Sequence, residues 1–168
     1  MQLIPLTKEL SIKELDPTNP KERWIVQQLE HDEMVIKYLN IFKYLLQAVQ
    51  FLDAPKEQYL DTPFLIWKNQ NPIGYIEASY IKSNSFSNLS AAQLNYALCK
   101  SKRGKGYATQ TVKEFTSLLL NDFDLVQLTI DHDNQKSQKV ADQSGFIYER
   151  SIIDSACQKQ LKIYQKTK

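Results

Sequence analysis

Residues 102–111 read KRGKGYATQT, which places three cations and two of the chain's 4 glycines in one turn. The strand-like run AAQLNYALC precedes it, and Ala108, Val112, Phe115 and Leu119 follow at helical spacing. A turn that feeds a strand into a helix exposes N–H groups with no intrahelical partner at the positive end of the helix dipole. Phosphate binds readily at such a place. Gly104 and Gly106 lack Cβ, so an anion can approach the amides. Arg103 can fork onto phosphate oxygens, and Lys100, Lys102 and Lys105 add local positive potential. A lone GxG would be read as a surface turn with solvated lysines. Strand, cations and amphipathic helix coincide here, which favours an anion site.

The spacing narrows the anion. The chain has no GxxxxGK[ST], so a P-loop is excluded. A Rossmann turn needs a small third position where Thr109 stands, and Asp131 lies too far on for the usual ribose contact. A pyrophosphate carried by another cofactor remains. The net charge of +2 gives no general affinity for polyanions, which argues against nucleic acid as a partner.

The elements that must position this turn follow from periodicity. Ile4, Leu6, Leu10 and Ile12 suit short edge strands. In TNPKERWIVQQLE, Asn19 can cap a helix, Pro20 fits its first position and Glu22 its first turn. Asp32 can cap a second helix over HDEMVIKYLNIFKYLLQAVQFL, with Met34, Tyr38, Ile41, Leu45, Ala48 and Leu52 on its inner face and Pro55 beyond it. Phe64 to Lys68 and Ile73 to Ile81 read as a hairpin around Asn69–Pro72. LVQLTID is a strand with Val126, Leu128 and Ile130 on one side. A short helix capped by Asp133 or Asn134 ends at Gly145, and FIYERSII and QLKIYQK close the chain as two strands. The strand–helix–strand unit over about residues 92–131 makes its two strands parallel neighbours, with antiparallel hairpins on either side. The expected fold is a mixed α/β sandwich in a single domain over residues 1–168. Residues 1–61 form an N-terminal part and about 62–168 the sheet and cofactor core. Cys99 and Cys157 have no CxxC or metal-ligand spacing, and no metal is expected. No apolar run reaches the ~20 residues of a membrane span, and the first residues do not read as a signal peptide, so a cytoplasmic protein with no membrane contact is expected.

RGKGYA, from Arg103 to Ala108, resembles the Arg/Gln-x-x-Gly-x-Gly/Ala signature of the GNAT N-acetyltransferases. DNQKSQKVADQSGF resembles the Asn-x-x-Ser segment of the subgroup similar to ribosomal-protein N-terminal acetyltransferases, with Asn134 and Ser137. PFLIWKNQNPIGYIEASY matches the preceding hairpin with Gly74, and YERSIIDSACQKQLKIYQK the closing one. The resemblance covers about residues 62–166 well. It implies a mostly antiparallel sheet with one parallel unit and helices on both faces. It also implies acetyl-CoA as acetyl donor. By resemblance, Arg103, Gly104, Lys105, Gly106, Tyr107 and Ala108 surround the pyrophosphate, and Thr109 adds its hydroxyl. Tyr96, Ala97 and Leu98 offer strand backbone to the pantetheine arm, and Asn134 and Ser137 lie near its amide or acyl end. Helix capping is an equal and compatible reading of Asn134 and Ser137. Three positions depart from the family pattern: Asn95, Cys99-Lys100, and Ala141, where many relatives carry a tyrosine that protonates the leaving thiolate.

The implied reaction is direct attack of a neutral amine on the thioester, and the acceptor is a small-molecule amine or a peptide N-terminus. Glu77, a lone carboxylate in the strand IGYIEAS, and His132, with a suitable intrinsic pKa, are the candidate bases. An outward, solvated Glu77 and a plain loop His132 are the alternatives. Core packing is the default for Tyr80 and Tyr148, and packing for Cys99. Asp32, Glu33, Asp53, Glu57 and Asp61 suit a cationic acceptor, and Trp24, Tyr38, Phe42, Tyr44 and Phe51 suit a pocket wall or the core. A catalytically weak acyl-CoA-binding module of the same fold is the competing function. The chain is expected to be a monomer or a homodimer.

Overall fold

The computed structural model describes residues 3–39, 61–81, 89–155 and 158–168. The long hairpin of the sequence organises it. Strand β3 (Phe64–Lys68) turns through Asn69 and Gln70 into β4 (Asn71–Tyr80). Asn69 takes φ 54, the left-handed conformation that asparagine tolerates in a tight turn. On one side β3 pairs with β2 (Leu10–Glu14), which pairs with the two-residue β1 (Ile4–Pro5). On the other side β4 pairs antiparallel with β5 (Ala91–Leu98). Helix α3 (Tyr107–Leu119) carries the chain from β5 to β6 (Leu125–Asp131), and these two strands are parallel as expected. Helix α4 (Gln135–Gln143) leads into β7 (Ile147–Ile153) and β8 (Gln160–Thr167). The eight-stranded order is β1-β2-β3-β4-β5-β6-β8-β7, a single mixed, mostly antiparallel α/β domain.

Each face of the sheet carries its own core. Val112, Phe115 and Leu119 of α3 and Ala141 of α4 pack on Ile66, Ile76, Leu94 and Leu128. On the opposite face Ile25, Val26 and Leu29 of α1 (Pro20–Glu30), with Val35 of α2 (Glu33–Tyr38), cover Leu65, Trp67, Tyr75 and Ala97. The start of α1 does more than satisfy the helix dipole. Asn19 caps it through Lys21 N–H at 3.0 Å. Fully buried Glu22 accepts from Lys13 Nζ at 2.5 Å, Asp16 N–H at 2.8 Å and Asn19 Nδ2 at 3.1 Å, and so ties β2 to α1. A buried carboxylate persists only with partners of this kind.

The second helix differs from its expected form. Helix α2 ends at Tyr38, and Ile41, Leu45, Ala48, Leu52 and Pro55 lie outside the described residues. Its buried residue is Val35, while Met34 is exposed and Tyr38 half-buried. Trp24 is also exposed, because α1 turns Ile25, Val26 and Leu29 to the sheet instead. Tyr80 and Tyr148, expected in the core, are each about half exposed: 48% and 49%.

Candidate active site

Strands β5 and β6 begin side by side and then part. They pair only at Ala91↔Leu125, Ala92↔Val126 and Gln93↔Gln127, yet β5 runs on to Leu98 and β6 to Asp131. Cys99 N–H donates to Ile73 O at 3.0 Å and Ile81 N–H to Ala91 O at 2.9 Å. In an antiparallel pair this parity alternates, so Leu94, Tyr96 and Leu98 turn their peptide groups away from β4. His132 N–H donates to Gln160 O at 2.9 Å, which by the same rule turns those of Thr129 and Asp131 towards β5. Two rows of peptide groups therefore face each other across an open slot.

A cavity of about 620 Å³ occupies this slot. Its walls are β5 from Leu94 to Leu98, β6 from Leu128 to Asp131, the starts of α3 and α4, and Met34, Val35 and Tyr38 of α2. At one end is the glycine turn. Gly106 is the N-cap of α3 with φ 78 and makes no side-chain cap. The first intrahelical bond goes from Gln110 N–H to Gly106 O at 3.0 Å, so the N–H groups of Tyr107, Ala108 and Thr109 have no acceptor within the helix. Gly104 has φ 72 and its missing Cβ would meet nothing within 4 Å; at Gly106 only Gln110 Nε2 lies near, at 3.9 Å. Both glycines are required by backbone angle, not by crowding. Gly74 is the reverse case: a Cβ there would stand 2.3 Å from Ala97 O and 2.6 Å from Leu98 Cδ2, so β4 and β5 approach closely beside the slot.

The cavity brings together Tyr96, Ala97, Leu98, Arg103, Gly104, Gly106, Tyr107, Ala108, Thr109, Asn134 and Ser137 of the expected cofactor residues. Lys105 is outside its lining and donates to Ser101 O at 3.1 Å. The side chains are more committed than the motif suggests. Arg103 Nε donates to Leu98 O at 2.9 Å and its Nη2 lies 2.9 Å from Asp32 Oδ1. Asp32 also caps α2, accepting from Met34 and Val35 N–H at 3.0 and 3.2 Å. Arg103 thus fastens the glycine turn to the end of β5 and to the start of α2. Burial pushes the Asp32 carboxyl up, but Arg103 and the two amides outweigh it and hold the pKa below the usual value. Asn134 does cap α4, through Ser137 N–H at 3.2 Å, while lining the cavity. Thr109 Oγ1 lies 3.4 Å from Gln143 Oε1.

Tyr96 carries a different signal. Its hydroxyl is buried and has no hydrogen-bond partner. Burial pushes its pKa up to about 12; Ser137 acts weakly in the opposite sense without forming a bond of ordinary length. A buried orphan hydroxyl in a cavity wall has a hydrogen bond left to make, with water or with a ligand atom.

Of the candidate bases, Glu77 is half-buried and hydrogen-bonded, not a freely solvated side chain. It accepts from the Tyr75 hydroxyl and from Asn95 Nδ2, the latter at 3.4 Å. Burial raises its pKa, against the lowering effect of those two bonds. Glu77 itself is outside the cavity lining, whereas Asn95 is part of it. His132 is exposed in the turn after β6 and outside the lining. Tyr80 and Tyr148 also stand outside, with Tyr148 OH 3.0 Å from Ser151 Oγ. Burial pushes the Cys99 thiol up, which leaves it a poor nucleophile. Asp53, Glu57, Phe42, Tyr44 and Phe51 lie outside the described residues. Sequence reasoning missed Thr129, Asp131, Val140 and Gln143 as lining residues. Thr129 and Asp131 alternate with buried Leu128 and Ile130, and that two-residue period was the available signal.

A slot between parted parallel strands that ends on an uncapped, glycine-led helix suits CoA. The amides of Tyr107, Ala108 and Thr109 fit a pyrophosphate, and the open strand edges fit an extended amide-bearing arm. The sequence of residues 15–147 matches the acetyltransferase (GNAT) domain, well over half of the chain.

The chain belongs to the GNAT acetyltransferase family.

Solved GNAT structures share its fold. A RimL ribosomal L7/L12 alpha-N-protein acetyltransferase in complex with coenzyme A superposes with a TM-score of 0.81 at 18% identity, over 99% of this chain and 98% of the other. An acetyltransferase from Salmonella typhimurium, described as modifying the N-terminal serine of the same ribosomal protein, gives 0.80 at 17% identity, over 99% of each chain. An aminoglycoside N(6')-acetyltransferase from Legionella pneumophila gives 0.73 at 18% identity, over 95% of this chain and 92% of the other. No curated protein matches the sequence. No described helix of this GNAT chain is long and apolar enough to cross a membrane.

Proposed function

We propose that this GNAT protein is an N-acetyltransferase that uses acetyl-CoA to acetylate a primary amine of a small molecule or a peptide N-terminus by direct attack. The observation that carries the reading is the three-residue pairing of β5 with β6, which opens a slot starting at the uncapped end of α3. Acetyl-CoA supplies an activated thioester. The amides of Tyr107, Ala108 and Thr109 hold phosphate, with Arg103 fastening the turn to the end of β5. The Leu98 N–H is directed into the slot, where a strand amide polarises an acyl oxygen. Its own carbonyl is taken by Arg103. Asn134, Ser137 and the Tyr96 hydroxyl offer polar contacts along the arm.

Glu77 is the group suited to accept the ammonium proton, through water beside Asn95. Burial gives it a basicity above that of an ordinary carboxylate, and its hydrogen bonds from Tyr75 and Asn95 orient it. His132 is less suited, since it stands exposed outside the cavity. Ala141 is fully buried against α3 and the sheet, so it supplies no acid for the leaving thiolate. Solved relatives of the fold act on a protein N-terminus in one case and an aminoglycoside in another, and both classes of amine are in the proposal.

Ala141 also keeps a second reading in view, an acyl-CoA-binding module with little turnover. Thiol release from acetyl-CoA separates the two, measured with aminoglycosides, small amines and peptides of varied N-termini. Release with one class of amine supports the enzyme. Tight CoA binding with no release over the whole panel supports the module.

A further inference from the structure

Trp24 is 57% exposed, on a helix whose other apolar residues, Ile25, Val26 and Leu29, are buried. It does not stand alone. Lys21, Trp24, Gln28 and His31 follow at i, i+3, i+7 and i+10, which makes one stripe along α1 outside the buried one. All four line a groove of about 1100 Å³. The groove is completed by residues distant in sequence, among them Pro72, the single 3-10 turn Lys100–Lys102 and the start of α2 with Asp32, Glu33 and Met34. Met34 is also exposed, at 38%. Tryptophan and methionine are residues in which partner-binding surfaces are enriched.

The charges of the groove are unbalanced. Lys21, Lys100 and Lys102 have no carboxylate partner among the described residues. Arg103 is paired with Asp32, which leaves Glu33 as the one carboxylate against three ammonium groups. Apolar anchors set among free cations fit a polypeptide that alternates apolar and acidic side chains. A polycationic sugar is repelled here. An RNA strand is disfavoured by Glu33 within the groove and by a net charge of +2 for the whole chain.

The groove adjoins the β5–β6 slot. Met34 and Arg103 line both. Arg103 Nε also holds Leu98 O at 2.9 Å, beside the strand amide directed into the slot. We propose that this groove docks an acidic, apolar-anchored stretch of the acceptor polypeptide while the N-terminus of that polypeptide enters the slot. The proposal rests on the acetyl-transfer reading above and narrows its acceptor to the N-terminus of an acidic protein. Trp24 and Met34 take the apolar side chains of the stretch, and Lys21, Lys100 and Lys102 its carboxylates.

Calorimetric titration of the ligand-free protein with peptides reads the groove without turnover. Three peptides share Ser-Ala-Gly at a free N-terminus and continue with alternating Leu and Glu, Leu and Ser, or Leu and Lys. The acidic peptide is expected to bind about tenfold or more tighter than the neutral one, and less so at high salt, with no measurable binding of the basic one. In Trp24→Ala and Lys21→Glu, each checked for a native circular dichroism spectrum, the acidic peptide is expected to lose about tenfold in affinity while CoA affinity is retained. In acetyl transfer the same two variants should raise its KM and leave kcat unchanged. Equal binding of the acidic and neutral peptides overturns the proposal. So does acidic-peptide binding that neither substitution weakens, or a single-stranded RNA that binds as tightly and is weakened as much by both. Thiol release with a small amine, but no binding of the acidic peptide, overturns the docking site alone and leaves acetyl transfer standing. Binding of the acidic peptide with no release from any amine overturns the transfer reading and, with it, the acceptor proposed here.

Discussion

The close approach of β4 and β5 at Gly74 allows a graded test of how the slot is held. Replacing Gly74 by alanine adds one methyl carbon, 2.3 Å from Ala97 O, 2.6 Å from Leu98 Cδ2 and 3.1 Å from Leu98 Cα. The Leu98 methyl can rotate away; the Ala97 carbonyl and the Leu98 backbone cannot move without β5. Relief to ordinary contact requires a displacement of about 1 Å. Overpacking of this kind costs about 1–3 kcal/mol. For a chain of this size, that lowers Tm by roughly 2–12 °C. The functional loss should be larger than the stability loss suggests, because the displaced segment carries the Leu98 N–H and the slot wall. A misplacement of about 1 Å can cost on the order of 100-fold in rate. The assay is a thermal melt beside acetyl-transfer kinetics at saturating acetyl-CoA, with the amine found by the panel. The account expects a folded protein with a moderately lower Tm and a rate reduced far more than the folded fraction. A variant with unchanged Tm and full rate would refute the reasoning.

Other perturbations read other parts of the site. Tyr96→Phe removes a buried hydroxyl that has no partner, so the ligand-free protein should be equally stable or up to about 1 kcal/mol more stable, while the Tm increase brought by CoA shrinks; both are read by melts with and without CoA. Glu77→Gln should lower the rate with CoA affinity retained: burial raises the Glu77 pKa, so its base form appears as pH rises through that raised value, and this limb of the pH–rate profile should vanish in the variant. Arg103→Ala should raise the Asp32 pKa, seen by NMR titration, and destabilise the protein by about 1–2 kcal/mol at neutral pH. The sign follows from linkage. A carboxylate held below its unfolded pKa contributes stability above that unfolded value, and the contribution is lost as pH falls through the folded one. The Arg103→Ala loss should therefore shrink on acidification.

Periodicity made most of the fold legible. Val112, Phe115 and Leu119 declared the buried face of α3, and Val126, Leu128 and Ile130 that of β6. The glycine turn between β5 and α3 marked the start of the crossover that makes β5 and β6 parallel. Local patterns do not carry contacts between distant side chains. The Arg103–Asp32 pair spans 71 positions, and nothing near either residue signals the other. Glu22 looked like a favourable first-turn charge and is instead the buried hub of β2 and α1, because Lys13 and Asp16 arrive from another element. Glu77 read more readily as a solvated side chain, since its burial depends on Tyr75 and on Asn95 across the strand pair. Tyr148 shows the opposite error, as a large aromatic at strand spacing that the packing leaves half exposed, while Trp24 took the pocket-wall alternative and not the core one.

The central claim is that backbone amides at the start of α3 hold the CoA pyrophosphate. Calorimetric titration of CoA into the parent protein and into Gly106→Asp tests it most directly. The added side chain has room, with only Gln110 Nε2 near at 3.9 Å, and its φ of 78 is one that aspartate tolerates at a modest cost. The fold should survive, with a negative charge set where phosphate would lie. The account predicts saturable CoA binding by the parent protein and none measurable by the variant at the same concentrations. Equal affinity in a natively folded variant would contradict it.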